Sequence, residues 1–274
     1  MYIYWRYLIY TITKNEKNFS ASDLKAALLN FRIAIDTNNK LFNEEKEKEK
    51  NKIQQGESTA FFHGPIGLYT MNTIYYLMIN DKNNFFEYLN KIISFKKFVF
   101  SNYSEDELLY GNAGYLYSVL LINKEIDLYK KKFYSVLYIV NNNNNNNIEE
   151  LNYNYDDIQK ELKNLIWQSV KFLWEIGNFQ KNKYKYNFLI FPFPRNENEG
   201  NSSNIYLGGA HGVAGNLYLM LKGLQYYNDI KNDIENQEKI YKKILYDIKE
   251  TLIQLGSIRF KSGNFPSSFY GKVN

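Results

Sequence analysis

"YLGGAHGVAGNLYLML", residues Tyr206 to Leu221, sets four glycines and one of the chain's two histidines directly before an almost unbroken apolar run. Two other stretches share the build, "FFHGPIGLYTMNTIYYLMI" from Phe61 and "LLYGNAGYLYSVLLI" from Leu108. Aligned, they read Gly64-Pro65-Ile66-Gly67, Gly111-Asn112-Ala113-Gly114 and Gly212-Val213-Ala214-Gly215, each followed shortly by an aromatic at Tyr69, Tyr117 or Tyr218. This is an internal repeat, and each copy opens a helix apolar nearly all round, which needs wrapping on every side. The copies recur after a short interval and then one about twice as long. The longer interval carries the asparagine run 141–147 and the loop "FPFPRNENEGNSSN" at 191–204, both of which read as insertions.

Between the copies lie amphipathic helices, marked by apolar residues three and four apart: Leu24, Leu28, Phe31, Ile35; Phe85, Tyr88, Leu89, Ile92; Ile158, Leu162, Leu165, Ile166, Val170, Leu173; Tyr241, Ile244, Leu245, Ile248, Leu252, Leu255. Ser20 with Asp23 reads as a helix start, and Gly177 and Gly256 as helix ends. Pro65 suits a first helical turn, while Pro192, Pro194 and Pro266 fall in loops. Buried helices alternating with half-buried ones imply stacked helical hairpins, because no single hairpin buries both its faces. The expected fold is all-α, an α/α toroid with its glycine turns around one mouth. It occupies residues 1–274 as one partial domain, an incomplete ring whose open ends favour aggregation or oligomerisation. Glycine admits close backbone approach there, and the helix N-termini are expected to make the mouth attractive to anions.

The chain has 274 residues, 45% of them hydrophobic, enough for a sizeable core. Its net charge of +5 is spread thinly, with no arginine block or aromatic-basic interleaving, so no nucleic-acid partner is expected. Zero cysteines exclude disulfides and thiolate metal sites within these residues and point to a reducing, cytoplasmic setting. The apolar start "MYIYWRYLIYTIT" lacks a basic n-region and a small-residue cleavage site, and no stretch is long enough for a transmembrane helix. No Gly-Lys-Ser/Thr follows the glycine turns and no strand precedes them, which argues against nucleotide binding. Neither a Gly-x-Ser-x-Gly elbow nor a metal-ligand spacing is present. His211 is left as the candidate for chemistry. Its slot, just before the helix-opening glycine, is held by His63 and Tyr110 in the other copies, so a purely structural turn residue is the alternative.

"ELLYGNAGYLYSVLLINKEI" (107–126), "YLGGAHGVAGNLYLML" and "KSGNFPSS" (261–268), in this order, resemble the eukaryotic LanC-like proteins, relatives of the bacterial lanthionine synthetase cyclases. With the first glycine turn the resemblance runs from Phe61 to Ser268. It implies an α/α barrel of seven helical pairs with the glycine turns at the active-site mouth. It also implies an activity, the addition of a thiol, from glutathione or a peptide cysteine, to dehydroalanine or dehydrobutyrine in peptides. Zinc held by two cysteines and a histidine activates the thiol in the family, in Trp-Cys-His-Gly and Cys-His-Gly turns of later repeats that do not occur in this sequence.

Carried onto this chain, the resemblance makes His211 the general acid that protonates the enolate left after thiolate addition, and Glu107 the acid beside it; a solvated surface carboxylate is the alternative for Glu107. A helix N-terminus disfavours imidazolium, so a carboxylate partner is what would let His211 donate a proton. Gly64, Gly67, Gly111, Gly114, Gly212 and Gly215 are the structural glycines. The sequence is expected to begin inside the first inner helix and to stop before the zinc-binding repeats, as a fragment or incomplete gene model. By itself it is expected to bind no stoichiometric zinc, to hold no other cofactor and to catalyse no thiol addition. The partners implied are glutathione and dehydroamino-acid peptides, with peripheral association at the plasma membrane left open. A non-catalytic glutathione- or peptide-binding scaffold is the alternative, and an α/α-barrel glycosidase relative, which needs two facing acids, a weaker one.

Overall fold

Pro65 occupies the first position of a helix, α1 (Pro65–Met78), where its missing N–H leaves no bond unmade and its fixed φ suits the helix. The structure, a computed structural model, describes residues 29, 32–37, 39–40, 61, 64–100, 105–130, 155–193, 204–230 and 235–269. After α1 come α2 (Lys82–Ser94), the single turn α3 (Lys96–Val99), α4 (Asn112–Lys130), α5 (Tyr155–Lys183), α6 (Val213–Leu224), the turn α7 (Tyr227–Ile230) and α8 (Glu235–Ser257). One small ladder interrupts the helices: β1 (Ile205–Tyr206) runs antiparallel to β2 (Ser268–Phe269), with Ile205 opposite Phe269. The fold is all-α. The Ser20 start, the asparagine run 141–147, His63 and Pro194 lie outside the described residues.

The chain divides into two units that share helices. Of the described residues, the first holds those up to 40, then 68–92 and 125–130. Its core is the expected one: Ile74, Leu77 and Met78 of α1 are buried, as are Phe85, Leu89 and Ile92 of α2. Asn80 closes α1 in the left-handed region at φ 57°, with Asp81 N–H donating to the Tyr76 carbonyl (2.9 Å) and Asn80 N–H to that of Leu77 (3.2 Å). Asp81 then starts α2 by accepting from Asn84 N–H at 3.1 Å. Buried Asn72 exchanges a reciprocal pair of amide hydrogen bonds with Asn39, at 3.1 and 3.2 Å.

The second unit holds residues 61–67, 93–124 and everything described from 155 onward. Leu162, Leu165, Ile166, Val170 and Leu173 give α5 its buried face, and α5 packs against α6 and α7. Gly177 is not the helix end that the sequence suggests. The helix continues to Lys183, and Gly177 makes room for a ring: a Cβ there would lie 2.9 Å from the Phe191 side chain. The actual stop is Lys185 at φ 58°, where Tyr186 N–H donates to the Lys181 carbonyl (2.9 Å). Gly256 likewise sits inside the last turn of α8.

Two further expectations change in this unit. Within the second unit's part of α4, Lys124 alone is exposed, but α6 turns Ala214, Tyr218 and Leu221 to solvent, because α5 covers its other side. On α8, Ile244, Ile248 and Leu255 are buried as expected, whereas Leu252 is exposed; the remaining inward positions belong to Asp247 and Thr251. Asp247 accepts from Trp174 Nε1 (2.8 Å), Lys243 Nζ (2.6 Å) and Asn178 Nδ2 (3.4 Å), tying α8 to α5. Thr251 accepts from Leu189 N–H at 3.0 Å and so holds the buried segment after α5 against α8.

Burial pushes the Asp247 carboxyl up, but the hydrogen bonds from Lys243 and Trp174, the Lys243 charge and the bond from Asn178 together hold it below the ordinary 3.8. A depressed acid contributes stability above its unfolded-state pKa and loses it as the pH falls through the folded value. Asp247→Asn is therefore expected to destabilise the protein by roughly 1–2 kcal/mol at pH 7, with the gap to wild type narrowing as the pH falls through the acid range and the carboxylate is protonated, as read by urea melts across that range.

Candidate functional site

Five of the six repeat glycines meet the backbone in the same way. A Cβ at Gly67 would overlap the Phe61 carbonyl, one at Gly111 that of Glu105, and one at Gly215 that of Gly209. At Gly114 and Gly212 it would come within 2.6 and 2.5 Å of the Leu108 and Tyr206 carbonyl oxygens. Each contact reaches back six residues, so the segment before each inner helix doubles over that helix's first turn. Only glycine permits this approach.

The doubled-back segment supplies the helix caps. Asn112 N–H donates to the Glu105 carbonyl (2.8 Å) and Gly114 N–H to that of Gly111 (2.9 Å); Ala214 N–H donates to Leu207 (3.2 Å) and Gly215 N–H to Gly208 (3.4 Å). These four N–H groups, among those expected to make the mouth attractive to anions, are thus used within the turns. One more bond, Leu108 N–H to the Ala210 carbonyl at 3.2 Å, stitches the second turn to the third. Tyr110 and His211, which hold the same slot in the two turns, are thereby brought side by side, with ring centroids 5.5 Å apart and planes 12° apart.

The same stitch brings Glu107 to His211. His211 Nδ1 lies 2.9 Å from Glu107 Oε2. Glu107 is not a solvated surface acid: it is 2% exposed, and its oxygens also accept from Leu109 N–H (2.9 Å) and Tyr110 N–H (2.5 Å). An ionised carboxylate only accepts, so the hydrogen between the pair belongs to Nδ1 and Nε2 is the nitrogen left for other work. The imidazole itself is 31% exposed. A buried acid fixing one nitrogen of a reachable histidine is the arrangement by which proteins orient an imidazole for proton transfer.

Two aromatics that sequence reasoning passed over complete the surroundings. Phe193 stands 4.9 Å from the His211 ring at 27°, and Tyr206 lies 6.1 Å away at 51°. Phe193 comes from the loop at 191–204, and a pair of backbone bonds with Asn204 (2.9 and 3.0 Å) closes the base of that loop. The run Phe188 to Pro192, buried throughout, is the signal that could have marked this loop as partly internal. Gly64 forms a bend directly before α1.

The residues present do not fit the zinc implied by the resemblance. The chain has no cysteine, and among the described residues no three His, Cys, Asp or Glu side chains group closely enough to hold a metal ion. Two glycine turns in contact, an Ala-His-Gly slot and an acid in the preceding turn nevertheless form a recognisable ensemble, and the lanthionine synthetase C-like protein family model matches residues 27–269. The chain belongs to the LanC-like family. Its all-α structure agrees with the helical fold of that family. No helix among the described residues of this LanC-like chain is long and apolar enough to cross a membrane.

Gly215→Ala is expected to destabilise the protein by about 1–3 kcal/mol, because the Gly209 carbonyl must move to admit the methyl group. Glu107→Ala should lose roughly 2–3 kcal/mol, since two backbone N–H groups and an imidazole N–H lose their acceptor. Urea denaturation measures both, and Glu107→Gln, which keeps an acceptor oxygen, should fall between Glu107→Ala and wild type.

Proposed function

We propose that this chain carries the proton-delivering half of the LanC-like thiol-addition site, acting on dehydroalanine or dehydrobutyrine in a peptide, with glutathione or a peptide cysteine as the thiol. The 2.9 Å contact between His211 Nδ1 and buried Glu107 supports the reading above all. When a thiolate adds to the β-carbon, the new C–S bond forms, the C=C bond opens and the electron pair moves onto the amide as an enolate. That enolate needs a proton at the α-carbon. His211 as imidazolium delivers it from Nε2 and is left neutral, with Nδ1–H still on Glu107. The Glu107 carboxylate balances the imidazolium charge, and its two backbone donors keep it from swinging away.

This division of labour leaves thiol activation outside these residues. The chain alone is expected not to speed addition at neutral pH, so the proton-delivery step is read by stereochemistry. At pH about 8, roughly a quarter of a free thiol with pKa near 8.5 is thiolate and adds spontaneously to dehydroalanine. With the peptide bound to excess protein, wild type should protonate one face and yield an excess of one α-epimer by chiral chromatography. His211→Ala should give the near-equal mixture of buffer alone, and Glu107→Gln most of that loss. A near-equal mixture with bound wild type would sink the proposal.

A further inference from the structure

We propose that Phe193, together with Tyr110, is a positioning residue for His211, forming an aromatic platform that holds the imidazole plane while Glu107 holds one of its nitrogens. The reading rests on His211 as the proton donor and adds the parts that orient it. A single hydrogen bond at Nδ1 fixes one point of a ring and leaves the ring able to rotate about the line through that bond. Closing that freedom takes a surface against the ring's face. The rings of Tyr110, Phe193 and His211 supply it: their centroids lie 4.9, 5.5 and 6.1 Å apart and their planes within 12° to 27° of one another. Near-parallel rings at such similar separations are mutually offset, the arrangement that the opposed quadrupoles of aromatic faces favour. Tyr206 packs obliquely against both Phe193 and His211, at 6.4 and 6.1 Å, and blocks the platform's far edge.

Each part of the platform is mounted on tied backbone. Tyr110 N–H is held by Glu107 itself, so the acid that orients Nδ1 also locates the ring beside it. Phe193 is pinned by its two bonds with Asn204, which leads directly into β1 and Tyr206. His211 is joined to the second turn through the adjacent Ala210 carbonyl. Three separate segments, 105–111, 193 and 204–212, thus converge on one imidazole through backbone bonds rather than mobile side chains, which is what pre-organises a reacting group. An aromatic at 193 therefore matters for where Nε2 points, not for which peptide binds.

The test compares Phe193→Leu, which keeps apolar volume but removes the ring, with Phe193→Tyr, which restores it. In NMR of the full chain, ring currents from the platform shield the His211 Cε1 and Cδ2 protons. Phe193→Leu is expected to move them downfield and to blur the ring nitrogens from one tautomer into an average, and Phe193→Tyr to restore both. Unmoved resonances in Phe193→Leu would overturn the platform. In the epimer assay, Phe193→Leu should lose the α-epimer excess while leaving the peptide's Kd where it was, and Phe193→Tyr should recover the excess. A weakened Kd with the excess retained would make Phe193 a substrate contact and overturn its positioning role. The NMR readout needs no turnover, so an absent excess in wild type would count against proton delivery alone.

Discussion

A carbonyl oxygen six residues upstream lies where the side chain of five of the six repeat glycines would begin, and the candidate site depends on that contact. Because the loop can lie directly on the helix, it serves as the helix's own cap and leaves the residue before the first glycine projecting from the turn. Replacing the hydrogen at Gly212 or Gly215 by any larger group would lift the loop, and with it Ala210, whose carbonyl binds the neighbouring turn. The pairing of His211 with Glu107 is therefore a consequence of missing side chains as much as of present ones.

Two buried acids in this unit are held in different ways. Asp247 is satisfied by side chains, from Trp174, Lys243 and Asn178, and serves to lock α8 onto α5. Glu107 is satisfied chiefly by backbone N–H groups of its own turn, which can neither titrate nor change rotamer. Its third partner is the imidazole of His211. Glu107 is thus fixed within its own turn, whereas Asp247 joins two helices.

Much of this was readable in the residues because the repeat states the same constraint three times. The glycine spacing, the slot before it and the apolar run after it identify the inner helices, and the Ala-His-Gly turn singles out His211. Glu107 was legible only through resemblance, since its burial depends on a contact between turns separated by about a hundred residues. Gly177 misled because glycine serves both helix ends and close packing, and nothing local distinguishes the two; Phe191, fourteen residues on, decides it. The real helix stops, Asn80 and Lys185, carry no glycine to announce them, as their left-handed backbone is held by the hydrogen bonds of the turn. Leu252 fits the helical period by spacing, yet Thr251 takes the inward position beside it to bond Leu189. Phe193 was hidden by a proline-rich context that reads as solvent-facing loop.

The bonded pair of Phe193 and Asn204 separates what lies between them from what lies beside His211. With both ends joined at one rung, the number of residues spanning 193 to 204 does not enter the geometry of the imidazole. A change in the number of residues between the two is thus expected to leave the imidazole where it is.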